Sequence, residues 1–211
     1  MPFDLWLTFV AASTALLLIP GPTVLLVLSY ALSKGRGVAL ASAGGVALGD
    51  LVAMSTSLMG LGALVLASAT LFTVLKWGGA VYLVWLGIKL IRSAPNADAR
   101  LPVPRGDVTG RSVFWHAAAV TALNPKSIAF FIAFVPQFVT PDAPLAPQFA
   151  ILIATFVGLA ALNALAYALL ADRLRARIQR PRVLAWLTGA GGTALIAMGI
   201  VTALLRRGAA G

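Results

Sequence analysis

The sequence predicts an all-α polytopic membrane protein of six transmembrane helices, built as two inverted three-helix repeats with broken first and fourth helices. Three observations carry this expectation. The 211-residue chain is 60% apolar and only 10% charged, with a mean hydropathy of +0.96, which leaves too little polar surface to cover a soluble globule. Apolar segments of roughly 20 residues or more, the length a bilayer core demands, recur along it. Two proline-bearing breaks, Ile19-Pro20-Gly21-Pro22 and Asn124-Pro125-Lys126, each interrupt one such segment, one in either half. Lipid tolerates unwound backbone only where protein or a water-filled cavity satisfies it, and paired broken helices are a pointer to a transporter's binding site.

Taken in order, segment 5–29 holds the first break. Residues 1–4 carry no positive n-region, so a retained helix is expected there and not a cleaved signal peptide. Segment 38–66 contains Asp50 beside Gly45 and Gly49, and segment 70–91 has Lys76 and Lys89 near its ends, placed to snorkel to the headgroups. Residues 92–112, with Pro95, Pro102, Pro104, Gly106 and Gly110, read as a linker. Segment 113–138 holds the second break, 147–171 carries Asn163 and Tyr167, and 183–205 completes the set. The expected organisation is one transmembrane domain over 1–211, with a first repeat at 5–91, a cytoplasmic linker at 92–112 and a second repeat at 113–205.

Charge sets the orientation. Lys34 and Arg36 follow the first segment; Lys89, Arg92, Arg100, Arg105 and Arg111 surround the linker; Arg173, Arg175, Arg177, Arg180 and Arg182 follow the fifth segment. Alternate connections share a side, so the positive-inside rule makes that side cytoplasmic and puts both termini outside. The net charge of +10 is thus a topological signal, and no basic helix face with interleaved aromatics points to nucleic acid. With three helices per half, the second half enters the membrane upside down. Gly78-Gly79-Ala80 with Leu83, Gly87 and Ile88 resembles Ala190-Gly191-Gly192 with Leu195, Gly199 and Ile200 at a constant offset, as an internal repeat would.

The motifs Ile19-Pro20-Gly21-Pro22-Thr23, Gly45 to Asp50, Val74-Leu75-Lys76-Trp77-Gly78-Gly79-Ala80-Val81-Tyr82-Leu83-Val84-Trp85-Leu86-Gly87, Leu123-Asn124-Pro125-Lys126-Ser127-Ile128 and Pro136-Gln137-Phe138 resemble the LysE/RhtB family of bacterial amino-acid exporters. The resemblance runs from about residue 5 to 205. It implies export of amino acids or close derivatives across the bacterial cytoplasmic (inner) membrane, driven by the proton gradient, with lipid and protons as the other partners. It does not name the cargo. A homodimer is compatible with a chain of this size.

The candidate substrate-binding or ion-coupling residues are Pro20, Gly21, Pro22, Thr23, Gly45, Gly49, Asp50, Asn124, Pro125, Lys126, Asn163 and Tyr167. An acidic residue mid-membrane costs about 2.5–3.5 kcal/mol on insertion scales and marks an ion or substrate path by default. Asp50 is therefore expected to exchange protons or to hold a substrate ammonium, the bland alternative being a packed helix contact. Lys126 is its expected partner, or a seat for a substrate carboxylate, unless the fourth segment is shallow and the side chain reaches the interface. Pro20 and Pro22 give no N–H, so carbonyls of the preceding turn are freed to coordinate a cation; a plain kink is the alternative. Asn124 is read as a helix cap or a substrate contact. Asn163 and Tyr167, four apart, share one helix face and serve the site or glue two helices. His116 is expected at the interface, and Trp6, Trp77, Trp85, Trp115 and Trp186 in an aromatic belt. No cofactor or metal is expected: the chain has no cysteine, no glutamate and one histidine, a poor ligand set. The same inventory disfavours a membrane-embedded enzyme, since an aspartyl protease needs a second carboxylate and a serine hydrolase a paired base. A channel or exporter for another small solute or metal remains the alternative.

Overall fold

The computed structural model describes residues 1–19, 21–34, 36–92, 108–139, 143–178 and 181–204, and these are helical with no strand among them. Eight α-helices follow one another: α1 (Phe3–Leu18), α2 (Pro22–Lys34), α3 (Arg36–Ala67), α4 (Ala69–Arg92), α5 (Gly110–Ala122), α6 (Pro125–Ala133), α7 (Leu145–Ile178) and α8 (Pro181–Leu204), with a 3-10 turn at Val135–Phe138 after α6. Among the described residues, Gly37–Ala63 and Leu145–Ala171 are long and apolar enough to cross a bilayer, and the bent pairs α1–α2 and α5–α6 raise the number to four if each is one broken span. Pro20, most of the expected linker (93–107) and the C-terminal Arg206 and Arg207 lie outside the described residues.

Both breaks fall where the sequence dictates. Pro20 and Pro22 have no N–H to offer the carbonyls of Leu16 and Leu18, four residues earlier, so α1 cannot continue. Pro22 then opens α2, a position where the missing donor costs nothing, and the two axes differ by 57°. In the second half, α5 stops at Ala122 and Asn124 caps α6. Its side-chain oxygen accepts the Lys126 backbone N–H at 3.1 Å, and Pro125 occupies the first turn. The bend there is 45°.

Helix α3 is the hub, packed against α2, α5, α6 and α7, while α4 pairs along its length with α8. Bare glycines make the closest approaches. A Cβ on Gly49 would lie 2.6 Å from the Ala118 carbonyl oxygen of α5. On the α4–α8 seam Gly87 meets Gly192 and Ile196, and Gly199 meets Ala80 and Val84. Adding 112 to 80, 84 and 87 gives 192, 196 and 199, so the two contact sets exchange under one offset.

Two main apolar cores divide the bundle, with a third, smaller cluster of Val24, Leu28 and Ala171. One is rich in aromatics: Phe9, Phe130, Phe131, Phe134, Phe138 and Phe156 pack with Met54, Leu58, Leu83, Leu152 and Leu195, and the Phe131 and Phe156 rings meet edge-on at 4.8 Å. The other is small, with Ala39, Ala43, Ala117, Ala164 and Ala168 around Val27 and Val46. Outside, Trp77, Trp85, Trp115 and Trp186 are exposed, and the Lys89 ammonium lies 5.0 Å from the Trp85 ring centroid.

Candidate functional site

The end of α1 sets the chemistry. Its last carbonyls have lost their helical donors, and in an apolar bundle each must find another. The Ile19 N–H reaches back to Leu16 O at 3.3 Å, and side chains from two other helices supply further donors. Asn163 Nδ2 of α7 donates to Leu17 O at 3.1 Å, and Tyr167 OH, one turn on, donates to Leu18 O at 3.4 Å. Lys126 Nζ, from the first turn of α6, donates to both Leu16 O and Ile19 O at 3.1 Å. Gly21 allows this approach, because a Cβ there would sit 3.3 Å from the Lys126 nitrogen.

A second network joins the two breaks. Asn124 Nδ2 donates to Thr23 Oγ1 at 3.2 Å, and Thr23 Oγ1 lies 3.4 Å from Thr121 Oγ1. Thr23 is in the first turn of α2 and Thr121 in the last turn of α5. The start of one half-helix is thereby tied to the end of another.

Asp50 faces the same space from α3. It is 2% exposed, and its Oδ1 has no hydrogen-bond partner. The carboxyl and the Lys126 ammonium interact electrostatically without closing a direct ion pair, since the ammonium is held on the α1 carbonyls. A buried carboxyl oxygen left unpaired is costly, and such groups cluster where a protein handles ligands or protons.

Gly21, Thr23, Asp50, Asn124, Lys126, Asn163 and Tyr167 all line one cavity, together with Leu16, Leu17, Val24, Val27, Val46, Ser127, Ala160 and Ala164. Leu16 and Ala160 belong to the aromatic core and Val27, Val46 and Ala164 to the alanine core, so the cavity lies at their junction. About 30 Å³ is open to the centres of water-sized molecules, on the order of two waters. Other candidates sit elsewhere. Gly45 and Gly49 are in the α3–α5 contact, Pro22 and Pro125 are exposed at their helix starts, and Pro20 is outside the described residues.

Three features were not singled out from sequence. Ser127 and Thr121 are buried one turn either side of Asn124, a spacing that would have suggested them. Tyr30 OH is 2.8 Å from His116 Nδ1, linking α2 to α5; nothing local to either residue signals that pairing.

Comparison with known proteins places the chain in a family. Residues 14–206 match the model of the LysE type translocator family. The chain is 34% identical to a homoserine/homoserine lactone efflux protein of Salmonella typhimurium over 206 residues, 98% of this chain and 99% of the relative. The counterpart of the same name in Salmonella typhi is 34% identical over the same shares, and an uncharacterized membrane protein of Vibrio cholerae is 31% identical over 96% of this chain and 98% of its own length. No solved structure matches the chain. A family match across nearly the whole length, on a bundle of apolar helices with two broken members, makes this chain a member of the LysE type translocator family: a membrane transporter and not an enzyme.

Proposed function

We propose that the protein exports a small amino acid or close derivative from the cytoplasm, in exchange for protons, through alternating access of two inverted three-helix halves. The observation that carries this is the cavity itself. A buried, unpaired Asp50 oxygen and a cluster of freed helix carbonyls face one space between two broken helices. An organic ammonium suits both kinds of acceptor. Pro22, Gly45, Gly49 and Pro125 frame the site through the helix starts and the α3–α5 seam, while Gly21, Thr23, Asp50, Asn124, Lys126, Asn163 and Tyr167 meet the cargo or the proton.

The curated Salmonella relatives are named for homoserine and its lactone. These two molecules share an amine and lack a common carboxylate, and a cargo of that class fits the polar inventory here. Space for about two waters is too little for an amino acid, so the site must enlarge for cargo to bind, which fits alternating access. The exchange of Gly87 and Gly199 contacts under one offset supports an internal two-fold and two matched halves, and the Lys/Arg distribution supports six spans with both termini outside the inner membrane. Asp50 is assigned the proton.

The test is efflux from cells preloaded with homoserine, homoserine lactone and a panel of amino acids, with and without a protonophore. Bonds to charged groups contribute roughly 1.5–3 kcal/mol, so Asp50→Asn at matched abundance should slow uphill extrusion by about tenfold or more. Extrusion that survives both Asp50→Asn and the protonophore removes the proton role, and no extrusion of any amine-bearing cargo defeats the exporter reading.

A further inference from the structure

Lys126 is seated where a cargo amine would be expected. Its ammonium rests on the carbonyls of Leu16 and Ile19, each at 3.1 Å, while Asn163 and Tyr167 hold the two carbonyls between them. We infer that the Lys126 ammonium is a tethered stand-in for the cargo's ammonium: it occupies the carbonyl seat at the end of α1, and a cargo amine must displace it to bind. The inference deepens the exporter reading and rests on the cavity being the cargo site.

Two further observations support the exchange. The acceptor that charge alone would choose for Lys126 lies across the same cavity, unused: Asp50 Oδ1 is buried and has no hydrogen-bond partner. A displaced ammonium therefore has a second seat waiting. An ideal Cβ on Gly21 would lie 3.3 Å from the Lys126 nitrogen, so the bare glycine leaves the side of the ammonium uncrowded, and Lys126 and Asp50 line the same cavity.

The consequences concern cargo class and coupling. The carbonyl seat offers acceptors alone, which a primary ammonium fills with its donors, so the carboxylate of an amino acid is dispensable and amines without one are accepted. After transport Lys126 retakes the carbonyls and expels the amine, which keeps affinity low and release fast. A Lys126 ammonium seated against Asp50 and a proton on Asp50 exclude each other electrostatically. Cargo and proton then become alternatives, as antiport requires.

The chain has no cysteine, so Lys126→Cys introduces a unique thiol. Binding of homoserine lactone, an amine without a carboxylate, is measured on the purified full chain by calorimetry, before and after alkylation with 2-bromoethylamine. The thiolate displaces bromide and forms a lysine isostere, restoring the ammonium in the same folded sample; methyl methanethiosulfonate gives a neutral control. Losing a charge-assisted competitor should tighten lactone binding by about tenfold or more in the thiol and methylthio forms, and alkylation should reverse it. Lys126→Met against the unsubstituted protein repeats the comparison without chemistry, with the same expected direction. Equal or weaker lactone binding without the ammonium, or no lactone binding in any form, overturns the inference. Weakened homoserine binding with unchanged lactone binding overturns it too, since Lys126 would then be a carboxylate receptor. Tighter lactone binding without efflux from cells would instead defeat the exporter reading and leave the displacement intact.

Discussion

Asn163 and Tyr167 show how one residue's role depends on what lies opposite. Their spacing puts them on one face of α7, but the partners are backbone carbonyls of Leu17 and Leu18, about 146 and 149 positions away in sequence. Asn163→Leu should leave the Leu17 carbonyl buried without a donor, destabilising the folded protein by about 1–3 kcal/mol and lowering its melting temperature in detergent. Tyr167→Phe should cost less, under about 1 kcal/mol, because its 3.4 Å bond is long. Equal losses in the two variants would mean that the carbonyl at Leu18 depends on its donor as much as that at Leu17. Asp50 was recognisable from sequence as a carboxyl in an apolar segment. That one of its oxygens has no partner was not, since it depends on Lys126 being held elsewhere.

At the scale of elements, the breaks were the most legible feature. Pro20, Pro22 and Pro125 remove donors at fixed offsets, and Asn124 caps α6, so α1, α2, α5 and α6 begin and end for local reasons. The glycines were harder to assign. Gly45 and Gly49 stand beside Asp50 in sequence, yet their faces point at α5, and only the packing partner separates a site glycine from a seam glycine. Gly49→Val should force the Ala118 backbone away, where a Cβ alone would lie 2.6 Å from its oxygen. Overpacking of this kind costs about 1–3 kcal/mol, read as reduced folded yield and an earlier thermal transition. Gly60→Ala and Gly78→Ala meet nothing within 4 Å and should be neutral or slightly stabilising, because alanine favours helix by roughly 0.8–1.0 kcal/mol. A destabilised Gly78→Ala would point to an unrecognised contact on that face of α4.

For the whole molecule, the arrangement of charges carries a topological prediction. Ser112 and Ala146 are both exposed, at opposite ends of the α5–α6 pair and its connection to α7. Because the chain lacks cysteine, each can hold a unique thiol. In intact cells an impermeant maleimide should label Ala146→Cys and reach Ser112→Cys only after the membrane is opened. The opposite pattern would invert the orientation and turn the proposed export direction around.

The sequence by itself determined the solvent, the helical class, the sites of both breaks and, Ser127 apart, the polar residues around the cavity. These stem from local chemistry: apolar runs exclude water, proline withdraws a donor, and a carboxyl in lipid needs a reason to be there. The family is legible for the same reason, its motifs being short and contiguous. The tertiary structure decided which freed carbonyl goes to which donor, why Lys126 sits on Leu16 and Ile19 while Asp50 keeps an oxygen unpaired, and that Tyr30 meets His116. Those outcomes depend on helices distant in the chain arriving side by side, and hydrogen-bond partners 86 to 149 residues apart are set by packing, which no local pattern encodes.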